Sequence, residues 1–208
     1  ASSSSVYGDC QDFPKTESRI GTPLSPYASS KRATELYANN FYKLHGLPTI
    51  GLRYFNVFGP RQRPDGPYAA VIPKFMYCLK KNVAPSIHGD GEQSRDFTYV
   101  ANAVEANIRA LCVPAEELFG ETCNVACGKS FSVNDLFKHL CNIAGVQCSA
   151  NYVGERQGDV RDSMADISKA TEHLGYQGRF GFEDGLRATW QFFDGPASGT
   201  TREIESSG

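Results

Sequence analysis

Tyr27 and Lys31 stand four residues apart, so they share one face if their segment is helical. A phenol beside an ammonium is a usable proton acceptor. Bringing a phenol of pKa about 10 down by three units takes about 4 kcal/mol of preferential stabilisation of the phenolate, and a nearby cation supplies it. The spacing alone is a weak signal, because Tyr77 and Lys81 repeat it inside what reads as an ordinary amphipathic helix. What separates the two copies is a serine cluster, Ser2 to Ser5, which leads into Val6-Tyr7-Gly8 ahead of Tyr27 and has no counterpart ahead of Tyr77.

The elements that must position these groups can be read from capping and periodicity. Ser25 followed by Pro26 is a helix cap with proline at the first helical position, and Gly46 then Pro48 stop the helix. Its apolar face is read as Ala33, Leu36, Tyr37, Phe41 and Leu44. Thr49 to Phe55 is dense in strand formers and ends at Asn56, and a Gly/Pro/Arg-rich loop continues through Pro67. Further helices are predicted over about 69–82, 101–112 and 132–144, the last opened by a Ser132/Asp135 capping box. Strands near 86–88, 97–100, 121–126 and 148–153 separate them, which is an α/β alternation.

The composition excludes several classes of function. The 208 residues carry 21 Lys plus Arg against 23 Asp plus Glu, with no run of five like charges. That balance argues against a phosphate-backbone or anionic-membrane binder, and no nucleic-acid or membrane partner is expected. No apolar stretch approaches the ~18 residues of a membrane span. The seven cysteines form no Cys-x-x-Cys pair, so no metal is expected, and they read as mostly buried thiols of a reducing, cytoplasmic setting. The chain opens Ala-Ser-Ser-Ser-Ser-Val-Tyr-Gly, which reads as a start in mid-domain, and residues 194–208 read as a disordered tail.

Three ordered motifs carry a family likeness: Ser-Ser-Ser-Val-Tyr-Gly; Pro-Leu-Ser-Pro-Tyr27-Ala-Ser-Ser-Lys31; and Arg53-Tyr-Phe-Asn56-Val-Phe-Gly-Pro60. From Ser2 to about Phe193 the sequence resembles the extended short-chain dehydrogenase/reductase family, in particular its NAD-dependent nucleotide-sugar 4-epimerases. The resemblance implies an α/β fold: part of a doubly wound Rossmann-type domain over 1–68 and a small mixed substrate-binding lobe over 69–193. It makes Ser3 the hydroxyl that bridges the sugar 4-hydroxyl and Tyr27. Tyr27 would take the 4-hydroxyl proton as hydride passes from C4 to NAD, Lys31 would hold the nicotinamide ribose, and Tyr54 counts as a cofactor contact. Asn56 would bind the UDP diphosphate, and Arg95, in a hairpin over Gly89 to Val100, would clamp it. Arg156 would pair with phosphate, Asp159 with the ribose, and Ala70, Val71 and Phe75 would wall the uracil.

The same resemblance speaks to reaction type and substrate. Dehydratases and decarboxylases of the superfamily carry acidic residues just after the catalytic Ser/Thr, where this chain has Ser4 and Ser5, so 4-epimerisation is the better reading. Ser163 stands where relatives restricted to unmodified hexoses have tyrosine, which leaves room for a 2-acetamido group. The favoured substrates are therefore UDP-N-acetylglucosamine and UDP-N-acetylgalactosamine or their uronic acids, as in surface-polysaccharide pathways. A homodimer through the Tyr27 helix is the family's habit. The Gly-x-x-Gly-x-x-Gly loop for NAD has no match in the sequence. The chain alone is thus expected to be inactive and to present unpaired strand edges. A non-catalytic binding module of nucleotide sugar or protein, or a UDP-sugar decarboxylase or dehydratase, is the alternative.

Overall fold

Ser25 and Pro26 act as their order predicts. In the computed structural model, which describes residues 1–65, 70–155 and 160–195, the Ser25 hydroxyl accepts the Ala28 N–H at 3.1 Å, and the helix it opens ends at Gly46, with φ of 64°. Ser132 and Asp135 form the expected capping box. Arg156, Asp159 and all but the first two residues of the 194–208 tail lie outside the described residues.

The described elements begin with β1 (Ser2–Ser3), a 3-10 turn at Ser4–Tyr7, α1 (Pro26–His45), β2 (Ile50–Tyr54), β3 (Val57–Phe58) and α2 (Val71–Lys80). Then come β4 (Ser86–His88), β5 (Ser94–Arg95), β6 (Thr98–Tyr99), α3 (Val100–Cys112) and β7 (Glu121–Val125). The last are β8 (Phe131–Ser132), α4 (Val133–Ala144), β9 (Asn151–Val153), β10 (Asp162–Ser163), α5 (Ser168–Leu174) and α6 (Phe182–Asp194). β1, β2 and β7 form a parallel sheet in that order, so β2 is the middle strand. Residues 121–125 thus pair beside β2 in the sheet that also holds β1.

Alternation along β2 sorts the two faces. Leu52 joins Cys123 and Val125 in a cluster with Ala106 of α3 and Ala170 and Leu174 of α5. Arg53 points the other way, in register with Ser2 on β1 and Asn124 on β7. All three are buried, so a polar row crosses the sheet beneath α1. This overturns the predicted inner face of α1. Its buried residues are Ala28 and Glu35, whereas Leu36, Tyr37, Phe41 and Leu44 are exposed, because the carboxylate of Glu35 must reach the guanidinium of Arg53.

A second core forms where α2, α4 and α6 pack around Phe58, Ile72, Phe75, Met76, Leu136 and Leu140. Phe131, Phe182 and Phe97 stack across it, with centroids 4.1 and 5.4 Å apart. α6 escapes prediction because Gly185 breaks its pattern. That glycine is required by packing, since a Cβ there would lie 2.8 Å from the Tyr99 ring. The Gly89 to Val100 segment is not a two-stranded hairpin either. Gly89 and Gly91 turn at positive φ, and β5 then pairs parallel with β10 and antiparallel with β8. The cysteines are all free, and only Cys123 is fully buried; Cys112 is exposed, against the expectation of mostly buried thiols.

Among the described residues, Arg53 and Glu35 each make four side-chain hydrogen bonds in the interior. Arg53 Nε and Nη2 donate to the two oxygens of Glu35 at 2.8 and 2.9 Å, and Nη1 donates to the Tyr7 hydroxyl and the Glu17 carbonyl. Glu35 also accepts Ser2 Oγ at 2.5 Å and Arg32 at 2.9 Å. Burial alone would raise the Glu35 carboxyl, but the hydrogen bonds from Arg53, Ser2 and Arg32 and the Arg53 charge hold it below its ordinary value. Replacing Arg53 by methionine strands that carboxylate and is expected to cost about 3 kcal/mol or more in urea denaturation. Arg53→Met combined with Glu35→Leu should recover most of the loss, and a double variant as unstable as Arg53→Met would contradict the buried-pair account.

Candidate active site

In a parallel α/β sheet, ligands bind beyond the carboxyl ends of the strands. Those ends here carry Ser3 on β1 and Tyr54 to Asn56 after β2, and a cleft of about 550 Å3 opens beside them. Its lining includes Ser3, Tyr27, Tyr54, Asn56, Arg95 and Ser163, six of the residues singled out in the sequence. Ser3 caps the 3-10 turn, its hydroxyl accepting the Ser5 N–H at 3.2 Å. Gly8 borders the cleft at φ of 53°, and a Cβ there would collide with the Thr22 carbonyl at 1.8 Å, so only glycine closes this turn.

Tyr27, one residue into α1, is 54% exposed, which leaves its phenol open to the cleft. Lys31 Nζ lies 5.8 Å from the Tyr27 ring centroid and donates to the Ala1 carbonyl at 3.1 Å. The look-alike pair has the same local geometry, with Lys81 Nζ 6.0 Å from the Tyr77 ring, but Tyr77 is not among the residues that line the cleft. Spacing makes both pairs, and of the two Tyr27 lines the cleft beside Ser3 and Asn56.

Asn56 adopts a positive φ of 36°, a region asparagine tolerates better than most residues, and its Nδ2 donates to the Asp96 carbonyl at 3.2 Å. Tyr54 borders the cleft while it packs against the Leu52 cluster, its hydroxyl donates to Asn107 Oδ1 at 3.0 Å, and burial raises its phenol above the ordinary value. Arg95 and Ser163 are directly paired between β5 and β10, so the cation and the small side chain enter the cleft side by side. Arg95 Nη1 donates to its neighbour Ser94's carbonyl at 2.7 Å. The expected uracil wall is placed otherwise. Ala70 and Val71 do not line the cleft, and Phe75 is 3% exposed, packed edge-on against Phe137 in the second core.

Sequence reasoning missed Lys15, Leu24, Val57 and Val160, which also line the cleft. Lys15 carried no readable signal, since a lysine after proline looks like any loop lysine. Asp96 was missed as well. It is fully buried and ties three segments together, with Oδ1 accepting the Cys127 N–H at 2.9 Å and Oδ2 accepting those of Gly128 and Ala165 at 3.0 and 3.3 Å. That clamp fixes Arg95 from one side and Ser163 from the other. Among the described residues no cluster of His, Cys, Asp or Glu could hold a metal, and no helix is long and apolar enough to cross a membrane.

An exposed phenol at Tyr27 and the Lys31 ammonium one turn on stand beside Ser3 at the carboxyl end of β1.

Comparison with known proteins fixes the lineage. The chain belongs to the family described as GDP-mannose 4,6 dehydratase, whose profile matches residues 1–189. It is 42% identical, with a TM-score of 0.83 over 92% of its length, to a UDP-N-acetylglucosamine 4-epimerase from Methanobrevibacter ruminantium solved with UDP-N-acetylmuramic acid. A Thermotoga maritima UDP-glucose 4-epimerase solved with UDP-glucose is 37% identical, with a TM-score of 0.85 over 92% of the chain. A UDP-glucuronate 4-epimerase from Thermodesulfobacterium geofontis is 34% identical over 91% of the chain. The chain spans 61%, 62% and 56% of those proteins respectively. The extended short-chain dehydrogenase/reductase likeness and the Rossmann-type α/β class of the sequence reading stand.

The Asp96 clamp has a pH signature. Burial pushes its carboxyl up to about 6, against the pull of the backbone N–H donors. The folded chain therefore holds this proton more tightly than the unfolded chain, so the contribution is present below the ordinary carboxyl range and is lost as pH rises through about 6. Urea denaturation of wild type and Asp96→Asn at about pH 4 and about pH 7 should show wild type losing ground to the variant at the higher pH. A pH-independent difference would contradict this.

Proposed function

We propose that this chain serves the NAD-dependent 4-epimerisation of a UDP-sugar, with UDP-N-acetylglucosamine and UDP-N-acetylgalactosamine or their uronic acids as substrates. The observation that carries the reading is the single cleft that gathers Ser3, Tyr27, Asn56, Arg95 and Ser163 from five separate stretches of chain. The named activities of the family relatives support it.

Each residue then has a task. Arg95 and Asn56 hold the diphosphate, the guanidinium by charge and the amide by its two donors. Ser3 hydrogen-bonds the sugar 4-hydroxyl, and Tyr27 takes that proton and returns it when the ring presents its other face. NAD, when bound, would supply the acceptor and donor of the C4 hydride, with Lys31 holding its nicotinamide ribose and Tyr54 a further cofactor contact. Ser4 and Ser5 offer hydroxyls where elimination or decarboxylation needs a carboxylate, which favours epimerisation. The small Ser163 beside Arg95 leaves space for a 2-acetamido group. Arg156 and Asp159, as phosphate and ribose contacts, complete the proposed site. The exposed Leu36, Tyr37, Phe41 and Leu44 of α1 suit a homodimer interface, and a cytoplasmic location suits the nucleotide-sugar substrate.

In the NAD-loaded enzyme, Tyr27→Phe is expected to lower turnover by orders of magnitude while UDP-sugar affinity, followed by calorimetry, changes little. Near-normal turnover would refute the proton-transfer role. Ser163→Tyr should impair acetylated substrates selectively, and equal loss of kcat/KM on UDP-glucose and UDP-N-acetylglucosamine would remove the size gate.

A further inference from the structure

Asp96 is fully buried and is not among the residues that line the cleft, yet three of those that do are attached to it. Side chains alternate along extended chain, so Arg95 enters the cleft and Asp96, the next residue, turns inward. Asn56 is the second attachment. Its Nδ2 donates to the Asp96 carbonyl at 3.2 Å and its own carbonyl accepts the Thr98 N–H at 3.3 Å, so the segment that carries Asp96 holds Asn56 by side chain and backbone. Ser163 is the third, standing two residues before Ala165, whose N–H donates to Asp96 Oδ2 at 3.3 Å.

The carboxylate anchors this assembly to the sheet by accepting the Cys127 and Gly128 N–H groups, at 2.9 and 3.0 Å, just beyond the end of β7. An acceptor committed to these backbone donors cannot turn without stranding one of them in the interior. The residues that depend on it have little freedom of their own. Asn56 stands at a positive φ of 36°, which persists only where neighbours hold it. Arg95 Nη1 donates to the carbonyls of Ser94 at 2.7 Å and Arg161 at 3.4 Å, so the guanidinium takes its aim from the backbone on either side of the β5–β10 pair.

We infer that Asp96 is a positioning residue for the anion-binding end of the cleft, setting UDP-sugar affinity by aiming Arg95 and Asn56 without itself touching the ligand. The inference rests on the reading of this cleft as a UDP-sugar site and deepens it, because the two diphosphate contacts then act as one unit. Asparagine is the sharp probe. Its amide replaces one accepting oxygen by a donor that faces backbone donors.

A double-mutant cycle read by calorimetric titration with UDP-N-acetylglucosamine tests this on the 208-residue chain. Arg95→Ala should weaken binding about tenfold or more, as the loss of a charged hydrogen-bond donor. Asp96→Asn should weaken it about tenfold, and the double variant should lose less than the product of the two single losses. Losses that multiply would overturn the inference, since Asp96 would then act elsewhere. Unchanged affinity in Asp96→Asn would also overturn it, leaving the carboxyl as a support of the fold alone. Wild type gives a second test that needs no variant to fold. Coupling is reciprocal, so the ligand should slow hydrogen exchange at the Cys127, Gly128 and Ala165 amides more than at Leu140 in the second core. Equal slowing at all four would contradict the coupling. Failure of wild type to bind UDP-N-acetylglucosamine would overturn the UDP-sugar reading itself, and the inference with it.

Discussion

The Arg53 guanidinium is the interaction on which the rest of the molecule depends. It is almost wholly buried, and it satisfies its donors on groups from three places in the chain: Glu35 on α1, Tyr7 in the 3-10 turn, whose hydroxyl donates on to Asn124, and the Glu17 carbonyl in the loop that follows. A buried charge pair is rarely a source of stability in itself, because desolvation consumes what attraction gives. Its use here is registration. Glu35 also holds Ser2, so one carboxylate ties the helix bearing Tyr27 and Lys31 to the strand bearing Ser3. A slip of α1 along the sheet would leave a carboxylate and a guanidinium unpaired in the interior.

Asp96 is a second buried anchor, at the ends of β7 and β10. Its carboxylate gathers backbone N–H groups from the end of β7 and from the segment after β10, and it follows Arg95 directly in sequence. The cleft lies between these two anchors, with Ser3 and Tyr27 on the Arg53 side and Arg95 and Ser163 on the Asp96 side. The division suits a two-part ligand. A diphosphate wants a fixed cation, and a reacting sugar wants hydroxyls held on rigid elements.

Much of this was legible in the sequence, for identifiable reasons. Caps are local, so Ser25-Pro26 and Ser132/Asp135 gave the starts of α1 and α4 directly. Motif order brought Ser3, Tyr27, Asn56 and Arg95 forward, and the cleft unites them. Where reading failed, long-range packing had overridden a local rule. The apolar stripe of α1 faces outward because a polar row in the sheet claims the opposite face. α6 was invisible because Gly185 interrupts it for the sake of the Tyr99 ring. The Gly89 to Val100 segment pairs with strands that lie tens of residues away, which no turn signal reveals. Lys15 is silent in sequence because its burial is made by residues 164 to 166, far along the chain.

The central claim is that one cleft holds a UDP-sugar with its 4-hydroxyl at Ser3 and Tyr27. A crystal structure of the chain soaked with UDP-N-acetylglucosamine tests it most directly. The account predicts the diphosphate on Arg95 and Asn56 and the 4-hydroxyl within hydrogen-bond reach of both Ser3 Oγ and the Tyr27 phenol. A sugar bound elsewhere, or one lodged in the cleft with its 4-hydroxyl turned away from both groups, would contradict it.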